Sequence, residues 1–173
     1  MPSQPISVLL KGGDRRSIGR ANQVAKLVLH APRRLSELIE CLWSDDAIVR
    51  MRAADAAEKV SAIQPKLLQP HKSELLGLLT EGEQIEVRWH LAQMVPRLPL
   101  THREKQRAAE ALQLYLEDRS SIVRTFALQA LADISRSDSE LRPLVKEILE
   151  QSVTRGTAAM KARARKLMKE LKI

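Results

Sequence analysis

Four cations stand at one point of a recurring pattern. Arg50, Arg88, Arg124 and Lys161 each follow an apolar residue, Val49, Val87, Val123 and Met160, at intervals of 38, 36 and 37 residues. A guanidinium so placed has two uses. It can pair with a carboxylate, and the acids Asp46, Glu83 and Asp118 are available. A bidentate ladder of that kind would fix the repeat spacing and satisfy helix-end groups. It can also line a groove with positive charge. Offsets of three, six and ten from the apolar residue should face outward beside this column. They read Arg52, His90, Phe126, Arg163; then Asp55, Gln93, Gln129, Lys166; then Lys59, Arg97, Asp133, Glu170. That mixture of donors, acceptors and one aromatic describes a polar binding groove. Its candidate recognition residues are Arg52, Asp55, Arg88, Trp89, His90, Gln93, Arg124 and Gln129. Core packing between repeats is the alternative role for Trp89, and an ordinary surface position the alternative for His90.

Other chemistry is thin. The four histidines, His30, His71, His90 and His102, are scattered, and none forms a His-x-x-x-His pair, so no metal site is expected. No Gly-x-x-x-x-Gly-Lys phosphate loop occurs, no nucleophile motif stands out, and no cofactor or small-molecule substrate is indicated. The stretch KGGDRRSIGR from Lys11 is glycine-rich and basic. It can offer backbone N–H groups with Arg15, Arg16 and Arg20 to an anion, or serve as a flexible lead-in. A second candidate anion surface is the C-terminal set Lys161, Arg163, Arg165 and Lys166. Cys41 is the only cysteine, which excludes an internal disulfide, and its place in the apolar run LIECLW suggests a buried, inert thiol.

The elements that carry these residues are helices. Relative to Val49, Val87, Val123 and Met160, residues at offsets 4, 7, 8 and 11 are apolar in each copy: Ala53, Ala56, Ala57, Val60; Leu91, Met94, Val95, Leu98; Ala127, Ala130, Leu131, Ile134; Ala164, Leu167, Met168, Leu171. Offsets 0, 4, 7, 8 and 11 make one face of an α-helix. A second apolar segment precedes each copy, beginning at Leu35, Ser73, Arg107 and Leu141. Thr101 with Glu104, and Ser137 with Glu140, read as capping boxes. One further helix is expected from Ser17 to His30, ended by Pro32. The unit is a helical hairpin that cannot bury both apolar faces alone, so stacking must complete the core. The expected layout is a lead-in over 1–16 and a single repeat domain over 17–173.

An acid, then Val-Arg, then alanines at helical spacing resembles the HEAT repeat, a relative of the armadillo repeat. The copies that carry the likeness are Asp46…Val49-Arg50…Ala53…Ala57, Glu83…Val87-Arg88, and Asp118…Val123-Arg124…Ala127…Ala130-Leu131…Ile134. The resemblance implies an all-α, right-handed α-solenoid of about four and a half hairpins with second helices along a concave side. It also implies an interaction scaffold. Deoxyhypusine hydroxylases of this class hold iron with His-Glu pairs, and no histidine here is followed by glutamate. The HEAT-like alkylpurine DNA glycosylases use a basic concave face with aromatic and carboxylate residues. Trp43, Trp89 and Asp55 are present, but their motif cannot be placed.

Charge bears on the partner. The net +8 is concentrated at the ends: residues 1–43 carry net +4 and 155–173 net +6, against −2 between. A basic end can meet phosphate or an acidic protein, or can be a solvated cap. No stretch approaches the roughly 20 apolar residues of a membrane span, and ISVLL is too short for a signal core. The sequence thus suggests a cytoplasmic, non-enzymatic adaptor that binds another macromolecule, most simply a protein, on its concave face. Nucleic-acid binding, including a relative of the glycosylases, is the alternative.

Overall fold

The computed structural model describes residues 4–173, which form helices and turns. There are ten α-helices among them: α1 (Ile6–Leu10), α2 (Ala21–His30), α3 (Leu35–Glu40), α4 (Ala47–Ile63), α5 (Lys72–Glu81), α6 (Ile85–Met94), α7 (His102–Tyr115), α8 (Ser121–Arg136), α9 (Arg142–Arg155) and α10 (Ala158–Leu171). The chain divides into two compact units, one running to Leu98 and one over Pro99–Ile173.

The first unit is built around α4, which packs between α2 and α6. Its register residues Val49, Ala53, Ala56, Ala57 and Val60 have no exposed surface, and neither do Leu91, Met94 and Val95 of the following hairpin. Alanines on one side of α4 let the neighbouring helices approach closely. The leucines and methionines opposite fill the space left, each large side chain contributing about 1.5–3 kcal/mol by burial. Arg97 ties the end of this hairpin to α4: its Nη1 donates to Glu58 Oε1 at 2.7 Å and Ser61 Oγ at 2.7 Å.

In the second unit α8 packs on α7 and α10, and α9 packs on α10. Val123, Ala127, Ala130, Leu131 and Ile134 are buried, as are Met160, Ala164 and Leu167. Met168 and Leu171 are only half-buried.

Helix starts follow local chemistry. Asp46 Oδ1 accepts from Ile48 N at 2.8 Å, and Ser120 and Thr157 cap α8 and α10. The Thr101–Glu104 capping box is complete. The box expected at Ser137–Glu140 does not form. Ser137 ends α8, its hydroxyl donates to Ile134 O, and Asp138 instead caps the next turn by accepting from Glu140 N at 3.2 Å. The helix expected from Ser17 starts at Ala21, because Gly19 has φ +50°, outside the helical region. Ahead of it, the stretch expected as a lead-in contributes α1, whose Ile6 and Leu10 are wholly buried.

Candidate functional site

The arginine column is structural at its first member. Arg50 Nε donates to Gln84 Oε1 at 2.8 Å, and its Nη1 donates to the carbonyls of Ser44 (2.6 Å) and Asp45 (3.1 Å). The acceptors are an amide and backbone carbonyls, where a carboxylate was the expectation. Asp46 is unavailable because its carboxylate caps α4. Gln84 closes the clasp by donating to Ala47 O at 2.9 Å. Arg88 Nε likewise donates to the Gly82 carbonyl at 2.7 Å. Arg124 differs: its Nε is shut off from solvent with no hydrogen-bond partner.

Arg52 does not face outward. It is 2 % exposed, and its guanidinium donates to the carbonyls of Leu10 (2.8 Å), Gly12, Asp14 (3.2 Å) and Ser17 (3.1 Å). The glycine-rich loop that suggested an anion site therefore turns carbonyls inward around a buried cation. Two glycines make this possible. A Cβ on Gly19 would lie 2.7 Å from Arg52 Cζ, and one on Gly13 3.1 Å from Nη2, both at positive φ. Arg15, Arg16 and Arg20 remain exposed outside the cradle, Arg15 reaching Glu86 at 3.9 Å. The segment is held at its other end by Glu37, which accepts from Ile6 N and pairs with Arg34 at 2.7 Å. Sequence reasoning missed this cradle. Its signal was present in the glycines at 12, 13 and 19 and in the i, i+4 pair Ile6 and Leu10.

Asp55 and His90 are also inside, at 9 % and 6 % exposure. Asp55 pairs with Lys59, and His90 Nε2 lies 3.9 Å from its other oxygen. His90 stacks obliquely on the half-buried Trp89, ring centroids 4.6 Å apart. Gln93 donates to Trp89 O at 3.3 Å. Burial lowers the His90 pKa from its ordinary 6.5, the carboxylates of Asp55 and Glu58 opposing only in part. The unfolded chain therefore takes up this proton first as the pH falls. Stability from the neutral ring is complete above pH 6.5 and is lost below it. Urea midpoints of wild type should fall more steeply between pH 7.5 and 5.5 than those of His90→Leu. Parallel curves would show that the ring is not titrating in this way.

In the second unit the corresponding row is more open. Phe126 and Arg163 are half-buried, with the guanidinium 5.9 Å from the ring centre. Arg163 Nη1 donates to Gln129 Oε1 at 2.7 Å, and Gln129 donates to Asp133 at 3.0 Å. Arg165 and Lys166 are exposed, Lys166 lying 3.8 Å from Glu170, while Lys161 is half-buried. Cys41 is 5 % exposed, and burial, with Glu37 and Glu40 adding, pushes its thiol up to about 11. It is inert as a nucleophile.

Each unit has a cleft at its turn end. One of about 360 Å³ is lined by Trp43, Asp45, Arg50, Glu81 and Gln84. Another of about 370 Å³ is lined by Glu117, Arg124, Gln151, Ser152, Arg155 and Met160. Among the described residues no group of three or more His, Cys, Asp or Glu could hold a metal ion. No helix among them is long and apolar enough to cross a membrane.

No protein-family model and no curated protein matches the chain. Solved structures do. A designed armadillo repeat protein, in complex with the peptide (KR)4, superposes with TM-score 0.64 at 19 % identity, over 95 % of this chain and 80 % of its own. The fold is an armadillo/HEAT-like α-solenoid. The crystal structure of an engineered protein gives TM-score 0.66, again at 19 % identity, over 96 % of this chain and 78 % of its own. At that identity the likeness concerns the solenoid fold alone. Within it Arg50 and Arg88 brace turns before their own helices, and the second helices α4, α6, α8 and α10 carry the rows around Asp55, Gln93 and Gln129.

Proposed function

We propose that this solenoid is a non-enzymatic adaptor that binds a protein partner on the face carried by its second helices. The observation that supports this most is the row itself. In the second unit one register brings the half-buried Phe126, Gln129 and Arg163 together as an aromatic, an amide and a guanidinium, a set suited to peptide side chains and backbone. In the first unit Lys59 and Gln93 are the reachable members. Arg52, Asp55 and His90 lie deeper and shape the surface from beneath. The designed armadillo neighbour was solved with a peptide bound, which gives the scaffold reading a precedent in the same fold.

Site-specific photocrosslinking tests this. Benzoylphenylalanine at Lys59 or Lys166 should give a discrete protein adduct from cell extract. The same group at Glu110 of α7 or Lys146 of α9 should give none. The adduct at Lys59 should fall at least tenfold on adding Gln93→Glu. Adducts from first-helix positions only would overturn the assigned face. Crosslinks to nucleic acid, with duplex binding that weakens steeply with salt, would replace the protein partner by nucleic acid.

A further inference from the structure

Arg50 and Arg124 occupy the same place in their hairpins, each one residue after the register valine. Arg50 has three acceptors. The counterpart of its acceptor Gln84, the residue before α6, is Thr157, the residue before α10. Thr157 is already engaged, accepting from Met160 N at 3.3 Å and pairing with Ser121 Oγ at 2.9 Å. Arg124 is half-buried and makes no side-chain hydrogen bond among the described residues, and its Nε has neither water access nor a partner. The Nε is enclosed, so the donors this side chain can offer to a ligand are its terminal N–H groups, which no acceptor among the described residues holds.

The space beside it suits a ligand. Arg124 lines a cleft of about 370 Å³ together with Arg155, Gln151 and Ser152. Arg155 and Gln151 are exposed at its mouth. Glu117 is the one acid on the lining; it too is exposed and makes no ion pair with Arg124. The planar guanidinium fork matches a pair of oxygens on a carboxylate or phosphate better than any other group.

We propose that this cleft is an oxyanion site for an acidic peptide segment of a partner protein. Arg124 is its inner donor, and Arg155 and Gln151 close over the peptide's carboxylate or phosphorylated side chain. The site lies at the turn end of the hairpins, away from the second-helix rows, and stands independently of them.

The Nε–Hε signals of the full chain in ¹⁵N-correlated NMR report on this directly. Arg50 and Arg124 are assigned from Arg50→Lys and Arg124→Lys. Titrants are hexaglutamate, a hexapeptide with one phosphoserine among glutamates, hexaglutamine and inorganic phosphate. The Arg124 signal should move saturably with the acidic peptides and not with hexaglutamine, while the Arg50 signal stays. Arg155→Gln, at an exposed position that leaves folding intact, should weaken binding at least fivefold, and Arg124→Gln at least tenfold without lowering Tm. Tighter binding of the phosphoserine peptide would identify phosphate as the group taken, and equal binding a carboxylate. Response to inorganic phosphate alone would overturn the peptide assignment. An unmoved Arg124 signal, or equal unsaturating drifts of both arginines, would overturn the site.

Discussion

Replacing Arg52 by methionine should cost about 3 kcal/mol of unfolding free energy, among the largest losses from any single polar substitution here. Four backbone carbonyls, of Leu10, Gly12, Asp14 and Ser17, converge on this guanidinium inside the fold. Hydrogen bonds to a charged donor contribute about 1.5–3 kcal/mol each, but the loss is capped, because a freed loop can rehydrate its carbonyls. Methionine keeps the apolar stem and removes only the donors. The second readout is trypsin. Lys11, Arg15, Arg16 and Arg20 lie on the loop, so cleavage there should quicken at least tenfold while the rest of the chain stays resistant. Arg52→Lys should recover part of both effects, since an ammonium has three donors but no fork. Gly19→Ala should act from the other side, its Cβ falling 2.7 Å from Arg52 Cζ at a positive φ. Unchanged cleavage in Arg52→Met would show that the loop is held without the guanidinium, by buried Ile6 and Leu10 and the Glu37 contact.

Leu91→Ala should cost 2–5 kcal/mol although it makes the sequence more regular. At this offset the other three second helices carry alanine, at Ala53, Ala127 and Ala164. An argument from the repeat pattern would make the change neutral. Leu91, however, has no exposed surface, and its neighbours in α4 and the surrounding hairpin are shaped around it. Truncation leaves a cavity that the packed alanines of α4 cannot fill by moving. Urea unfolding decides it: a loss below 0.5 kcal/mol, roughly the scatter of neutral surface changes, would mean that the register and not the local fit sets stability.

The register face was fully legible, because offsets 0, 4, 7, 8 and 11 depend only on helical periodicity and every such residue from Val49 to Ile134 is buried. The rows beside it were less so. Arg52 shares an offset with Phe126 and Arg163, yet the first position of the unit is covered by a segment that has no repeat pattern of its own. His90 sits at the same offset and is buried too, against the Trp89 ring and beside Asp55. The acceptors of Arg50 were hidden for another reason. Cap formation and ladder formation compete for the same acid, and the cap takes Asp46, so Gln84 and two carbonyls serve instead. Spacing alone does not reveal that competition. At Arg124 the counterpart of Gln84 is Thr157, whose hydroxyl caps α10, and the Nε has no partner, a difference visible only when the two turns are set side by side.

The way α4 is seated between α2 and α6, and α10 against α8, has a kinetic meaning. Each second helix finds its partner one hairpin away along the chain, so few contacts require the closure of long loops. Chains with such local connectivity fold in microseconds to milliseconds, and on the ribosome α4 has both α2 and α6, the helices it packs between, as soon as α6 emerges. Assembly can therefore keep pace with synthesis, one hairpin at a time, with little apolar surface left waiting for distant residues to be made.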